Sequence, residues 1–201
     1  MIRKIGIDFD NTIVCYDSVF YHAALEKGWL PPTISMNKTA VRDFFRQTKQ
    51  EDKWTELQGF VYGARMDLAL AFPGVDAFFL LCKQKSIKIA IISHKTKHPY
   101  IGIPYDLHAT ALNWLKKQSF FHQDIEVYFE LTLQDKLKRI TQAECSLFID
   151  DLPELLQEPL FPLGVKKVLF DPNGQTQTTP NTPWTTIASW NQGILFLNKQ
   201  T

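Results

Sequence analysis

Five short apolar runs punctuate the chain, and each stops at a polar or acidic residue. They are "IRKIGI" before Asp8, "IKIAII" before Ser93, "IEVYF" before Glu130, "SLFI" before Asp150 and "VKKVLF" before Asp171. Most of their residues are β-branched or aromatic, and several runs are near-continuously apolar, as in strands covered on both faces. Segments with helical spacing lie between them, among them "GVDAFFLLCKQKS" and "DLHATALNWLKKQ". This alternation predicts an α/β fold with a Rossmann-like, mostly parallel sheet flanked by helices. From residue 16 to residue 72 no strand pattern occurs. That stretch holds "SVFYHAALEKG", "NKTAVRDFFRQT" and "EDKWTELQGFVYGARMDLALAF", and Gly28, Pro31 and Pro32 close the first of these. It is too long for a crossover and too structured for a loop, so it reads as a helical insertion. The Pro-, Thr- and Asn-rich "DPNGQTQTTPNTPW" reads as an exposed loop, and "TTIASWNQGILFLN" as a final element packed back on the sheet.

The strand ends carry the chemistry. In an open parallel sheet, ligands bind beyond the carboxyl ends of the strands. Asp8 and Asp10 are two residues apart, and in an extended chain such side chains point the same way. Two carboxylates that close need a cation or a shared proton. Mg2+ suits them, because it takes one or two carboxylates with waters and a phosphate. Asp150 and Asp151 offer a second acidic strand end. The Ser93 hydroxyl and the Lys136 ammonium are candidates to hold an anion. Nucleophile, acid, metal ligands and anion clamp together suit phosphoryl transfer.

Composition narrows the field. The net charge of +1 gives no support to a nucleic-acid surface. Cys15, Cys82 and Cys145 are scattered and odd in number, which speaks against a disulfide framework or a zinc site. The charged start "MIRKIGIDFD" is no secretory signal, and no apolar run approaches the ~20 residues a membrane helix needs. A cytoplasmic protein with no membrane or nucleic-acid partner is expected. Oligomeric state is not legible.

At these residues the chain resembles the haloacid dehalogenase superfamily of hydrolases, most of which are phosphatases. The first motif, Asp-x-Asp-x-Thr after an apolar strand, stands here as "DFDNT"; the second, a strand ending in Ser or Thr, as "AIISH". Lys136 matches the third motif and "FIDD" the fourth, with "FPGV" also typical. The resemblance spans Ile5 to about Asp171 and implies roles residue by residue. Asp8 would be the nucleophile that forms an aspartyl-phosphate, and Asp10 the general acid and base. Mg2+ would be held by Asp8, the backbone carbonyl of Asp10 and Asp150, with Asp151 beside them. Ser93, Lys136 and the backbone N–H of His94 would bind phosphate, and Thr12 would brace the loop. The dehalogenating branch lacks the second acid, so Asp10 favours phosphate esters.

The insertion falls where this family places a cap. The expected domains are a catalytic core of residues 1–15 and 73–201 and a cap of residues 16–72. Arg42, Arg46, Lys49, Lys53 and Arg65, beside Trp54 and Tyr62, suggest a pocket for an anionic substrate or a solvated helical face. The resulting expectation is a Mg2+-dependent phosphohydrolase acting on a small phosphorylated metabolite. A phosphotransferase or phosphomutase with the same nucleophile, and a catalytically inactive binding protein, are the alternatives.

Overall fold

The computed structural model of the protein describes residues 2–177, 179 and 182–200. By internal packing the chain forms two compact units. The first takes the chain up to Val14, then Ala71–His94, then everything from Ser119 on; the second takes Cys15–Leu70 and Lys95–Gln118.

The first unit is built on a six-stranded parallel sheet. Its strands are β1 (Lys4–Ile7), β4 (Lys88–His94), β5 (Glu126–Glu130), β6 (Leu147–Asp150), β7 (Lys166–Phe170) and β8 (Thr185–Ile187), in the order β5-β4-β1-β6-β7-β8. All five expected strands form. The sixth, β8, comes from the start of the segment read as one final element. β2 (Val14–Cys15) and β3 (Leu70–Ala71) pair in a separate two-stranded sheet. Of the expected exposed loop after Asp171, positions 178, 180 and 181 lie outside the described residues.

Helices cover both faces of the large sheet, and this is why the central strands read as continuous apolar runs. On one side α6 (Leu133–Gln142) and α7 (Pro153–Gln157) bury Leu137, Ile140, Leu155 and Leu156 against Ala90, Ile92, Phe148 and Leu169. On the other side, α4 (Val75–Gln84) packs on α8 (Trp190–Gln200), and the rings of Phe78, Trp190 and Phe170 stack in one cluster. Gly6 lets β1 lie under Phe148: a Cβ there would overlap that ring and come 2.9 Å from Cys145 Sγ.

Connectivity fixes where a ligand can sit. From β1 the chain moves outward through β4 to β5, then returns across β1 to β6 and continues out to β8. The direction of winding therefore reverses between β1 and β6, and in open parallel sheets ligands bind beyond the carboxyl ends of the strands at such a point. Asp8 and Asp150 stand at those two ends.

The second unit is helical: α1 (Asp17–Glu26), α2 (Lys38–Gln47), α3 (Glu51–Ala64), a 3-10 turn at Met66–Leu68 and α5 (Leu107–Lys116). α2 begins at Asn37, whose side chain accepts from Ala40 N at 2.7 Å, and α5 at Asp106, which accepts from Ala109 N at 2.9 Å. The core of this unit is aromatic, with Phe20 against Trp54 and Tyr62, and Tyr62 against Tyr16. The placement of α5 differs from the expectation. Sequence pattern assigns residues 95–118 to the core as a crossover, whereas they pack with the insertion. Trp114 Nε1 donates to Ala69 O at 2.9 Å, and Gly63 admits Tyr105 so closely that a Cβ would meet the Tyr105 Cβ at 2.7 Å.

Candidate functional site

The site follows from strand register. Ile7 lies opposite Ile91 of β4 and Ile149 of β6, so the residues that follow each emerge together. Asp8 N donates to Ile149 O at 2.9 Å and extends that ladder, which sets the Asp8 carboxylate beside Asp150. Thr132 caps α6 by accepting from Asp135 N at 3.1 Å, and one residue further on Lys136 reaches in from the first turn.

Four of the expected side chains meet in one buried network. Lys136 Nζ donates to Asp8 Oδ1 and to Asp150 Oδ2, each at 2.6 Å. Ser93 Oγ donates to the same Asp8 Oδ1 at 3.0 Å. Both donors thus hold one oxygen of Asp8 and neither engages Oδ2. Asp150 Oδ1 accepts from Leu152 N at 2.9 Å, so both oxygens of Asp150 are fixed. Thr12 Oγ1 donates to Asp151 Oδ1 in a long contact of 3.5 Å.

Carboxylate oxygens of Asp8, Asp150 and Asp151 lie within 4.8 Å of one another. Asp10 is not a member of that group. β1 ends at Ile7 and the chain bends at Phe9, so the alternation of an extended strand does not carry through to Asp10. Asp10 still adds to the negative field at Asp8. Burial is the main force pushing the Asp8 carboxyl up to about 6, Lys136 opposes it, and Asp150 and Asp10 add to the rise. Burial alone would lower the Lys136 ammonium, but Asp150 and Asp8 outweigh it and hold the proton on.

The remaining expected residues are placed as follows. His94 is the last residue of β4, with its exposed ring Nε2 3.1 Å from Leu131 O. Glu130 pairs with Arg139 at 2.6 Å, and Asp171 accepts from Gln175 N and Thr176 N at 3.0 and 2.7 Å. In the helical unit Arg42 pairs with Asp43, Arg46 with Glu51 and Arg65 with Glu26, while Lys53 lies 5.7 Å from the Trp29 ring. Lys38, which the sequence reading passed over, donates to Tyr62 Oη at 3.1 Å. The buried Lys95 sits 4.6 Å over the same ring. Trp190 was also unforeseen: its indole N–H donates to Thr12 O at 3.1 Å.

The donor set is oxygen only, and three acids converge where Lys136 supplies one positive charge. A hard divalent cation fits such a set, and a soft metal that prefers sulfur or imidazole does not.

No family model matches the chain, and no curated protein sequence matches it. Solved structures do. A HAD-superfamily hydrolase of subfamily IA from Geobacter sulfurreducens superposes with a TM-score of 0.58 at 14% identity, covering 98% of this chain and 96% of that one. The HAD-hydrolase YfnB from Bacillus subtilis, solved bound to magnesium, gives 0.55 at 16% identity, with 98% and 99% covered. A 2-haloacid dehalogenase from Pseudomonas syringae gives 0.55 at 12% identity over 100% of both chains. The fold is that of the haloacid dehalogenase superfamily. In this HAD fold the carboxyl edge of β1, β4 and β6 carries Asp8, Ser93 and Asp150, the residues the sequence motifs single out. Among the described residues no helix is long and apolar enough to cross a membrane.

Proposed function

We propose that the chain is a HAD-superfamily enzyme, a divalent-cation-dependent phosphohydrolase of small phosphorylated metabolites in the cytoplasm. One observation carries the reading: Asp8, Asp150 and Asp151 converge within 4.8 Å on a site where Lys136 also sits. Displacement of a halide from carbon needs a carboxylate nucleophile and no such assembly of acids. A phosphate ester brings two negative charges, and their transfer calls for concentrated positive charge. The acidic cluster therefore supports a phosphate ester over a halide as the group displaced.

In this reading Asp8 Oδ2 attacks phosphorus while Ser93 and Lys136 hold Oδ1 and fix the rotamer. Asp10 gives a proton to the departing alcohol oxygen, and the aspartyl-phosphate remains on Asp8. Asp10, now basic, takes a proton from water as that water attacks phosphorus; phosphate leaves and the Asp8 carboxylate is restored. Mg2+ held by Asp8, Asp150, Asp151 and the Asp10 carbonyl would supply charge against the phosphate oxygens. Ser93, Lys136 and the His94 backbone N–H bind the transferring group. The helical unit serves as a cap that chooses the substrate.

The test is turnover of an aryl phosphate with Mg2+ and with EDTA, then a panel of phosphorylated metabolites. Asp8→Asn and Asp10→Asn are each expected to lose about 10^3-fold or more in kcat with the fold intact. An Asp8→Asn variant as fast as wild type rejects the mechanism. Transfer to an added hydroxyl acceptor at the expense of water would make the enzyme a phosphotransferase.

A further inference from the structure

The loop Phe9–Val14 carries Asp10 and Thr12, and its backbone is tied at three carbonyls. Phe9 O accepts from Ile13 N and Val14 N, both at 3.1 Å. Ile13 O accepts from Phe72 N at 2.9 Å. Thr12 O accepts from Trp190 Nε1 at 3.1 Å, a bond between residues 178 apart in sequence. The loop turns at Asn11 through a left-handed φ of 59°, which asparagine adopts more readily than most residues, so these ties, not strain, set its position.

Trp190 is fully buried at the start of α8, with its ring 4.8 Å from Phe78 and 5.5 Å from Phe170. Its indole N–H cannot turn to water, and neither can the Thr12 carbonyl, so each depends on the other. Thr12 is itself buried, and its hydroxyl donates to Asp151. One residue therefore takes the clamp on its backbone and hands it to a carboxylate through its side chain.

We propose that Trp190 is a positioning residue for the cation-binding carboxylates, acting through Thr12 on Asp151. The C-terminal helix is then a working part of the site as well as cover for the sheet. An indole that merely fills space needs its ring, while this role needs its N–H. Only the metal arm of the test rests on the proposed function.

The experiment compares Trp190→Phe, which keeps a ring and loses the donor, with Phe78→Leu, which loosens the same cluster and keeps the donor. Two readouts are used: amide hydrogen exchange at Ile13 and Val14, and Mg2+ affinity by calorimetry. Both are made under conditions where denaturant unfolding shows each variant folded. Trp190→Phe is expected to speed exchange at those amides about 10-fold and to weaken Mg2+ binding about 3- to 10-fold. Phe78→Leu is expected to move neither by more than about twofold, since additive packing losses do not reach the loop. Equal effects of the two variants on exchange, or unchanged Mg2+ affinity in Trp190→Phe, overturn the proposal. If wild type binds no Mg2+, the proposed function falls and the exchange arm alone decides whether Trp190 sets the loop.

Discussion

Lys136→Met tests how the buried network is held. The Lys136 side chain is 2% exposed, and its ammonium lies 2.6 Å from each of two carboxylates with side-chain exposures of 6% and 0%. Methionine keeps most of the stem's length and packing, so the change removes charge more than volume. Asp8 and Asp150 then face each other in a site that water barely reaches. Breaking a buried pair by deleting one partner costs about 3–5 kcal/mol. Partial proton uptake limits the loss: burial already lifts the Asp8 carboxyl to about 6, and without Lys136 it rises further. The lower end, about 3 kcal/mol, is therefore expected, out of a total of about 5–15 kcal/mol for a domain. The assay is urea unfolding followed by circular dichroism, at pH 7 in EDTA. Asp8→Asn is added both to wild type and to Lys136→Met, because it removes the charge that Lys136→Met strands. It should cost at least about 1 kcal/mol less on top of Lys136→Met than in wild type. A loss below about 1 kcal/mol for Lys136→Met, or strict additivity of the two changes, refutes the reasoning.

Three further outcomes follow from particular contacts. Gly6→Ala drives a methyl group into the Phe148 ring and to within 2.9 Å of Cys145 Sγ, and urea unfolding should show a loss of about 1–3 kcal/mol. Burial would raise the Asp171 carboxyl, but the N–H groups of Thr176 and Gln175 outweigh it and hold the group below 3.8. Its folded value being the lower one, its stabilisation is present above the unfolded value and fades as pH falls through the folded value. Asp171→Asn should therefore cost about 1 kcal/mol at pH 7 and progressively less in acid denaturation series below about pH 4. Burial pushes the thiols of Cys82 and Cys145 up to about 12, so a disulfide reagent at neutral pH should label both only after unfolding.

How much of this was legible in the sequence depends on what a pattern encodes. The central strands were legible because burial on both faces demands continuous apolar runs, and the residue that ends each run marks the carboxyl edge. Asp8, Ser93 and Asp150 followed from that alone. The placement of residues 95–118 was not legible. The spacing of "DLHATALNWLKKQ" shows that one side is apolar and says nothing about what it meets; Trp114 reaches the Ala69 carbonyl, from another stretch of chain. Trp190 was equally silent, since a tryptophan in an apolar segment looks the same whether its N–H meets a loop carbonyl or solvent.

Asp10 shows where local rules stop and what the exception accomplishes. Spacing of two puts side chains together only while the backbone stays extended. Here the strand ends at Ile7 and the chain bends at Phe9, so Asp10 stands outside the group that Asp8, Asp150 and Asp151 form. A carboxylate spent on a cation is held deprotonated and cannot carry a proton. Asp10 stands outside the group yet close enough to raise the Asp8 carboxyl, which suits the proton-carrying role proposed for it. In the proposed function that division leaves Asp8 with the cation and Asp10 with the proton.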